Sequence, residues 1–219
     1  MSDFFQEVDE EVRREKAELF WKKHQNLIIA VALAIVAATA GWRFYQFYEQ
    51  RKAEEAGGVY ETAITLAREG KADEAEKSLV ELAAKAPGGY RALARLRAAD
   101  LAGKRAPKDA LRLYDEIAAD ASVDASLREA AKLRAAILAA DAGDAADFAR
   151  RAEPLAADGQ PFRASMRELI GVKALEAGDL DRAARYLDMI VTDDASPAAL
   201  RQRADLLLGL VRSGKPTQG

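Results

Sequence analysis

The sequence predicts an all-α protein: an N-terminal helix able to cross a membrane, then stacked helix pairs closed by a capping helix. Three observations predict it. The chain is rich in Ala, Leu, Arg, Glu and Asp and poor in β-branched runs, the composition of helix formers. One apolar run, Leu27 to Gly41, stands near the N-terminus of an otherwise charged chain. Beyond it, segments with apolar residues at helical spacing alternate with short glycine-centred turns. In order, the parts are a charged helical arm (1–26), a transmembrane helix (27–48), a linker or helix continuation (49–58) and a helical repeat domain (59–219).

The arm reads as a helix because Ser2 or Asp3 can cap it and Phe5, Val8, Val12 and Leu19 recur at helical spacing among charges. It is either an amphipathic helix lying on the membrane or on a partner, or a solvated extension of the next helix. Its seven acids weaken any attraction to anionic lipid.

The apolar run itself is short. Leu27 to Gly41 rises about 22 Å, less than the ~30 Å hydrocarbon core. Extension to Tyr48 gives about 33 Å, with Arg43 snorkelling to the headgroups. Trp42, Phe44, Tyr45, Phe47 and Tyr48 form an interfacial belt at one end, with Phe20 and Trp21 at the other. A cleaved signal peptide is the rival, since Ala38-Thr39-Ala40 has the small-x-small form. The long acidic segment before the run and the aromatics after the cut argue against it. A buried core helix would not need two aromatic girdles. Arg13, Arg14, Lys16, Lys22 and Lys23 precede the span, against Arg43, Arg51 and Lys52 after it. That excess places the N-terminus in the cytoplasm and the large domain outside, in the periplasm of a Gram-negative bacterium.

Residues 49–56 continue as charged helix, and Gly57-Gly58 permits a joint. Turns follow at Gly70, Gly143 and Gly178, with Gly143 and Gly178 35 residues apart and Gly70 and Gly143 73 apart. A near-constant period of this size signals stacked supersecondary units. The first unit resembles a tetratricopeptide repeat: Val59, Ala63 and Leu66, then Gly70, then Ala75, Leu79 and Leu82, closing at Pro87. Ala94, Ala98, Leu101, Ala110, Tyr114 and Ile117 make a second, with its turn stretched around Gly103 and Pro107. A third, around Gly143, is degenerate, with Phe148 where a small residue is expected and Pro154 late in its second helix. Ile170, Gly171, Ala174, Gly178, Ala183, Leu187 and Ile190 form the fourth. Ser196-Pro197 then starts a final helix to about Val211, Ser as cap and Pro first in the helix, suited to a terminal cap. A generic α-helical bundle with Gly-Asp turns is the alternative.

The order of parts resembles the YfgM-like family more closely: the opening MSDFFQEVDEEVRRE, then Trp21-Lys22-Lys23, a span ending Ala40-Gly41-Trp42-Arg43, then tetratricopeptide-like helices. The stretches Asp158 to Arg163 (DGQPFR) and Ala174 to Leu180 (ALEAGDL) are similar to its alphaproteobacterial branch. That resemblance implies an ancillary subunit of the SecYEG translocon in the bacterial inner membrane, with a periplasmic repeat domain, translocon subunits and a periplasmic chaperone as partners. The alternative is a scaffold for another envelope assembly, such as cell division or a secretion machine.

No enzymatic constellation is legible. His24 is the only histidine and there is no cysteine, so thiol chemistry and His/Cys metal clusters are absent. No phosphate loop or nucleophile elbow occurs. Asp193-Asp194 and Asp179-Leu180-Asp181 lack calcium-loop spacing, and helix capping accounts for them. We therefore expect no catalytic residue, metal or cofactor and no small-molecule substrate. A net charge of −3 gives no argument for nucleic acid. No feature decides whether the chain forms a homo-oligomer. Two contact surfaces are predicted. In tetratricopeptide arrays the first helix of each pair lines the binding face, which on these registers presents Tyr60, Ile64, Arg95 and Glu168. Along the span, Ala30, Ala34, Ala37, Ala38 and Gly41 form a small-residue stripe that permits close helix approach in lipid, although an Ala-rich chain produces such stripes by chance.

Overall fold

The structure, a computed structural model, describes residues 2–142 and 144–214; the side chains of residues 2–12, 15–17, 20 and 28 are not described. The proposed cap at Ser2 or Asp3, the apolar face of Phe5, Val8 and Val12, Phe20 of the aromatic belt, and Gly143 of the third turn therefore lie outside the described residues. The described residues are helical with no strand, in nine helices. These are α1 (Ser2–Arg68), α2 (Ala72–Lys85), α3 (Gly88–Gly103), α4 (Pro107–Ala119), α5 (Ala125–Ala142), α6 (Ala145–Leu155), α7 (Arg163–Glu176), α8 (Leu180–Val191) and α9 (Ala198–Ser213). The all-α expectation holds. The chain divides into two units, Met1–Glu54 and Glu55–Gly219.

The first unit is a single helix. It contains an 18-residue window of mean hydropathy 2.0, none of it buried, and is long and apolar enough to cross a membrane. Leu27, Ile29, Val31, Leu33, Ile35 and Val36 are all exposed. Thr39 donates its hydroxyl to the Ile35 carbonyl at 2.8 Å, so this polar group needs no water. At the end of the run, the Arg51 guanidinium lies 4.8 Å from the Phe47 ring and the Lys52 ammonium 4.3 Å from the Tyr48 ring. Such aromatic and cationic pairs suit the membrane–water boundary.

The second unit is built from helix pairs in which buried small residues recur 12 positions apart. Ala63 and Ala75, Ala98 and Ala110, and Gly171 and Ala183 are all buried, and a Cβ on Gly171 would lie 3.6 Å from the Ala183 carbonyl. At Gly171 a Cβ would lie 2.9 Å from Leu187 Cγ, so α7 and α8 approach more closely there than any side chain allows. A large residue follows four positions after the second small one: Leu79, Tyr114 and Leu187. The third unit reverses this order. Phe148 stands at the small position and Ala152 at the large one, both buried beside Ala136, Ala139 and Ala140 of α5. The exchange conserves volume, so the unit whose pattern looks degenerate still forms the pair α5/α6.

The turns follow local chemistry. Gly70 and Gly178 adopt φ of 83° and 76°, and the residue after each donates back to the helix it leaves, Lys71 to Leu66 O and Asp179 to Ala174 O, both at 2.9 Å. These are the left-handed helix ends that favour glycine. Asp144 and Asp179 then cap the next helices by accepting from Asp147 N and Arg182 N. Two local expectations change. Gly57 and Gly58, where the sequence permits a joint, are helical, and Tyr90 Oη lies 2.8 Å from where a Gly57 Cβ would stand. Ser196 does not cap α9: the cap position is Pro197 and the Ser196 hydroxyl is buried without a partner. Arg201 reaches back instead, donating to the Asp194 and Ser196 carbonyls at 2.9 Å. The core runs through the unit as successive clusters, with Leu111 packed against both the second and the third.

The inverted third pair makes a specific prediction. Phe148→Ala is expected to cost ~3–5 kcal/mol. The double variant Phe148→Ala/Ala152→Phe, which restores the order of the other pairs, should recover more than half of that loss in denaturant unfolding. Additive losses would show that the exchange is not compensatory.

Candidate protein-binding face

Within the second unit the odd-numbered helices touch in succession, α3 with α5, α5 with α7 and α7 with α9, while each also packs against its even-numbered neighbours. The first helices of successive pairs thus form one wall. Ion pairs tie equivalent helices of neighbouring pairs at about one repeat of sequence. Arg134 on α5 donates to Asp100 on α3, 34 residues away. Arg203 on α9 donates from Nε and one Nη to Glu168 on α7 at 2.7 and 2.8 Å, 35 residues away. Among the second helices, Arg151 forks onto Asp115 at 2.5 and 3.0 Å, and Arg182 reaches Glu153 at 2.8 Å. Exposed pairs of this kind contribute little to stability.

Asp100 is a junction. It accepts from Arg134 and from the buried Tyr114 hydroxyl at 2.5 Å, and Arg97 lies 3.6 Å away. Burial first, and then the Asp100 carboxylate, push the Tyr114 phenol well above its usual range. Arg151 is held further into its charged form by its bonds to Asp115 and Asp147.

The region around the Asp158–Arg163 motif is a structural joint. Arg167, 2% exposed, donates to the Ala156 carbonyl at 2.9 Å, the Met189 carbonyl at 3.2 Å, Asp158 at 2.5 Å and Asp193 at 3.4 Å. Arg163 forks onto the same Asp193 at 2.8 and 3.2 Å. The ends of α6 and α8 are thereby tied to α7 through carbonyls that their helices leave free. Asp193 sits below the ordinary carboxylate range, chiefly through Arg163. It also accepts from Ala195 N at 3.0 Å, so the capping read for this site is part of a larger network. An open cleft of about 510 Å³ beside this joint is lined by Asp158, Arg163, Arg167 and Asp193, whose charges are paired with one another.

The sequence-predicted groove residues lie in three different pairs. Tyr60 is half-buried, its ring 6.2 Å from that of Tyr90, and Ile64 is half-buried one turn further along α1. Arg95 donates to Asp120 at 2.6 Å, and Glu168 receives Arg203. The structure does not gather them at one point; Arg95 and Glu168 both have intramolecular partners. Leu133 and Ile137 of the third pair escaped sequence reasoning because Phe148 obscured that unit's register. They follow Arg95 and Ala99 by 38 residues and precede Glu168 and Val172 by 35. Ala30, Ala34, Ala37, Ala38 and Gly41 are exposed along α1, and no atom lies within 4 Å of a Cβ built on Gly41.

Asp120 supplies a pH test of the α3 tie. Hydrogen bonds from Ser122, and then from Arg95, lower its carboxyl to about 2. A carboxyl depressed on folding stabilises above its unfolded value near 4 and loses that contribution as pH falls toward the folded value. Asp120→Asn is therefore expected to lower the thermal midpoint at pH 7, with the gap from wild type closing between about pH 4 and 2. An equal gap at both ends would remove Asp120 ionisation as its cause.

A family model described as a tetratricopeptide repeat-like domain matches residues 18–196, taking in both the apolar run and the helix pairs. No curated protein matches the chain, and no solved structure matches it. With paired helices, small crossing residues and a match over most of its length, the chain belongs to the tetratricopeptide repeat-like family.

Proposed function

We propose that this protein is a single-span, membrane-anchored interaction scaffold that serves the Sec translocon of a bacterial inner membrane. The observation that carries the reading is the union in one chain of an uncovered apolar helix with aromatic and cationic ends and a tetratricopeptide-like array. A repeat array of this family suggests protein partners. The translocon, its periplasmic chaperone and their clients come from the resemblance of the N-terminal and Asp158–Arg163 motifs to the YfgM-like family. The excess of flanking bases on the N-terminal side supports a cytoplasmic arm and a periplasmic array.

The mechanism is binding without turnover. Fixing a binding face in the membrane beside an assembly raises its local concentration and converts later encounters into effectively intramolecular ones. Charged groups of the array, such as Asp100, Asp193 and Arg151, are committed to ties between helices, as a scaffold requires. The small-residue stripe of the span offers a second contact, within the bilayer.

Photocrosslinkers placed at Tyr60 and at Ala34 in native membranes should give adducts with translocon subunits or an associated chaperone. Adducts confined to another envelope complex would overturn the translocon assignment. Single cysteines at Ser2 and Ser213 fix the topology: external reagent should reach Ser213 alone, and the reverse pattern would exclude a periplasmic array.

A further inference from the structure

The last described helix carries an apolar face that no other described element covers. Among the described residues α9 packs on α8 and α7 alone, through the buried Ala204, Leu208 and Val211. On its opposite side Leu206, Gly209 and Leu210 stand three and four positions apart, so helical geometry itself sets them side by side. Leu206 is 67% exposed and Leu210 38%, and nothing lies within 4 Å of a Cβ built on Gly209. A helix that closes a repeat stack ordinarily turns a polar surface outward. This one presents leucine beside a glycine, where another backbone can come close.

The counterpart of that face on α7 is occupied. At a step of 34 residues, buried Ile170 and Ala174 match buried Ala204 and Leu208. The same step matches Gly171 and Leu175 with Asp205 and Gly209. Gly171 and Leu175 are buried against Leu187 and Ala183 of α8, whereas Asp205 and Gly209 are exposed. The side by which α7 receives its partner helix is therefore open on α9.

Charge selects the occupant. α9 carries four charged residues. Arg201 donates to the Asp194 and Ser196 carbonyls, and Arg203 to Glu168. Asp205 and Arg212 are exposed and make no hydrogen bond or ion pair among the described residues. They stand seven positions apart, about two turns, and so flank the apolar face on the same edge with opposite sign. When two helices pair antiparallel, equal edges meet, so a second α9 would bring Asp205 of each copy to Arg212 of the other. The same placement lays Leu206 of each copy against Gly209 of the other. The midpoints of these two pairings fall one residue apart, so a single two-fold axis makes both. A face that complements itself in this way closes at two copies.

We infer that α9 is a self-association face. Two copies of the chain pair antiparallel through Leu206, Gly209 and Leu210, with Arg212 of each donating to Asp205 of the other. The contact covers only a few helical turns, below the ~1,000 Å² of a stable interface, so the pair is weak and reversible. Anchoring both copies in one membrane raises their effective concentration and favours it. The inference does not rest on the translocon reading.

The test follows the full chain in detergent micelles by sedimentation velocity between about 1 and 100 µM, the range suited to a contact this small. Wild type should pass from monomer to dimer as concentration rises. Leu206→Ser should weaken the dimer at least about tenfold. Asp205→Arg and Arg212→Asp should each weaken it at least about tenfold, because like charges then meet across the axis. Mixed in equal parts, these two charge variants should dimerise again, since each supplies the sign that the other lacks. All three positions are exposed, so unfolding midpoints equal to wild type confirm intact folds. Wild type that stays monomeric throughout overturns the inference. Variants that dimerise like wild type also overturn it and move the contact to another surface, such as the span. A mixture that associates no better than its components removes the antiparallel pairing. Monomeric wild type whose membrane photocrosslinks are lost with Leu206→Ser would give the face to a different protein.

Discussion

Close approach of paired helices through small residues is the constraint on which the repeat unit depends. At Gly171 the two backbones come so near that Leu187 lies where a Cβ would stand, and buried small residues recur at the same 12-residue spacing at Ala63 and Ala75 and at Ala98 and Ala110. A core made this way is rich in Ala. Its strength comes from repetition, since each pair buries its outer face only against the next. The third pair shows that total volume matters more than order: Phe148 and Ala152 exchange roles and the stack continues.

Beyond the apolar core, ion pairs link successive units. The pairs Arg134–Asp100, Arg151–Asp115, Arg182–Glu153 and Arg203–Glu168 connect like helices of successive units. Arg167 goes further. It is buried, and its guanidinium binds the carbonyls that end α6 and α8 together with two carboxylates. A guanidinium can do this because its donors form a fixed planar fork.

The apolar helix is long and apolar enough to suit a different solvent. Leu27, Ile29, Leu33 and Ile35 are exposed along a helix whose own hydroxyl, on Thr39, is already bonded to Ile35. In water such a surface is a liability, and in lipid it is at equilibrium.

The sequence by itself determined the helical class, the apolar run with its aromatic ends, the turns at Gly70 and Gly178, and the repeat period. Those are local properties: propensity, hydropathy and a backbone conformation that glycine favours, each readable over a few neighbouring residues. The tertiary structure alone decided the rest. That Phe148 and Ala152 compensate one another requires knowing what faces them on α5. That Asp193 serves two arginines rather than only capping a turn requires bringing together residues 26 and 30 positions apart. That Arg95 and Glu168 are occupied while Ile137 and Leu206 stay open is likewise a matter of partners. Side chains on a helix announce their spacing, but which of them is spent on a neighbouring repeat is set only when the repeats stack.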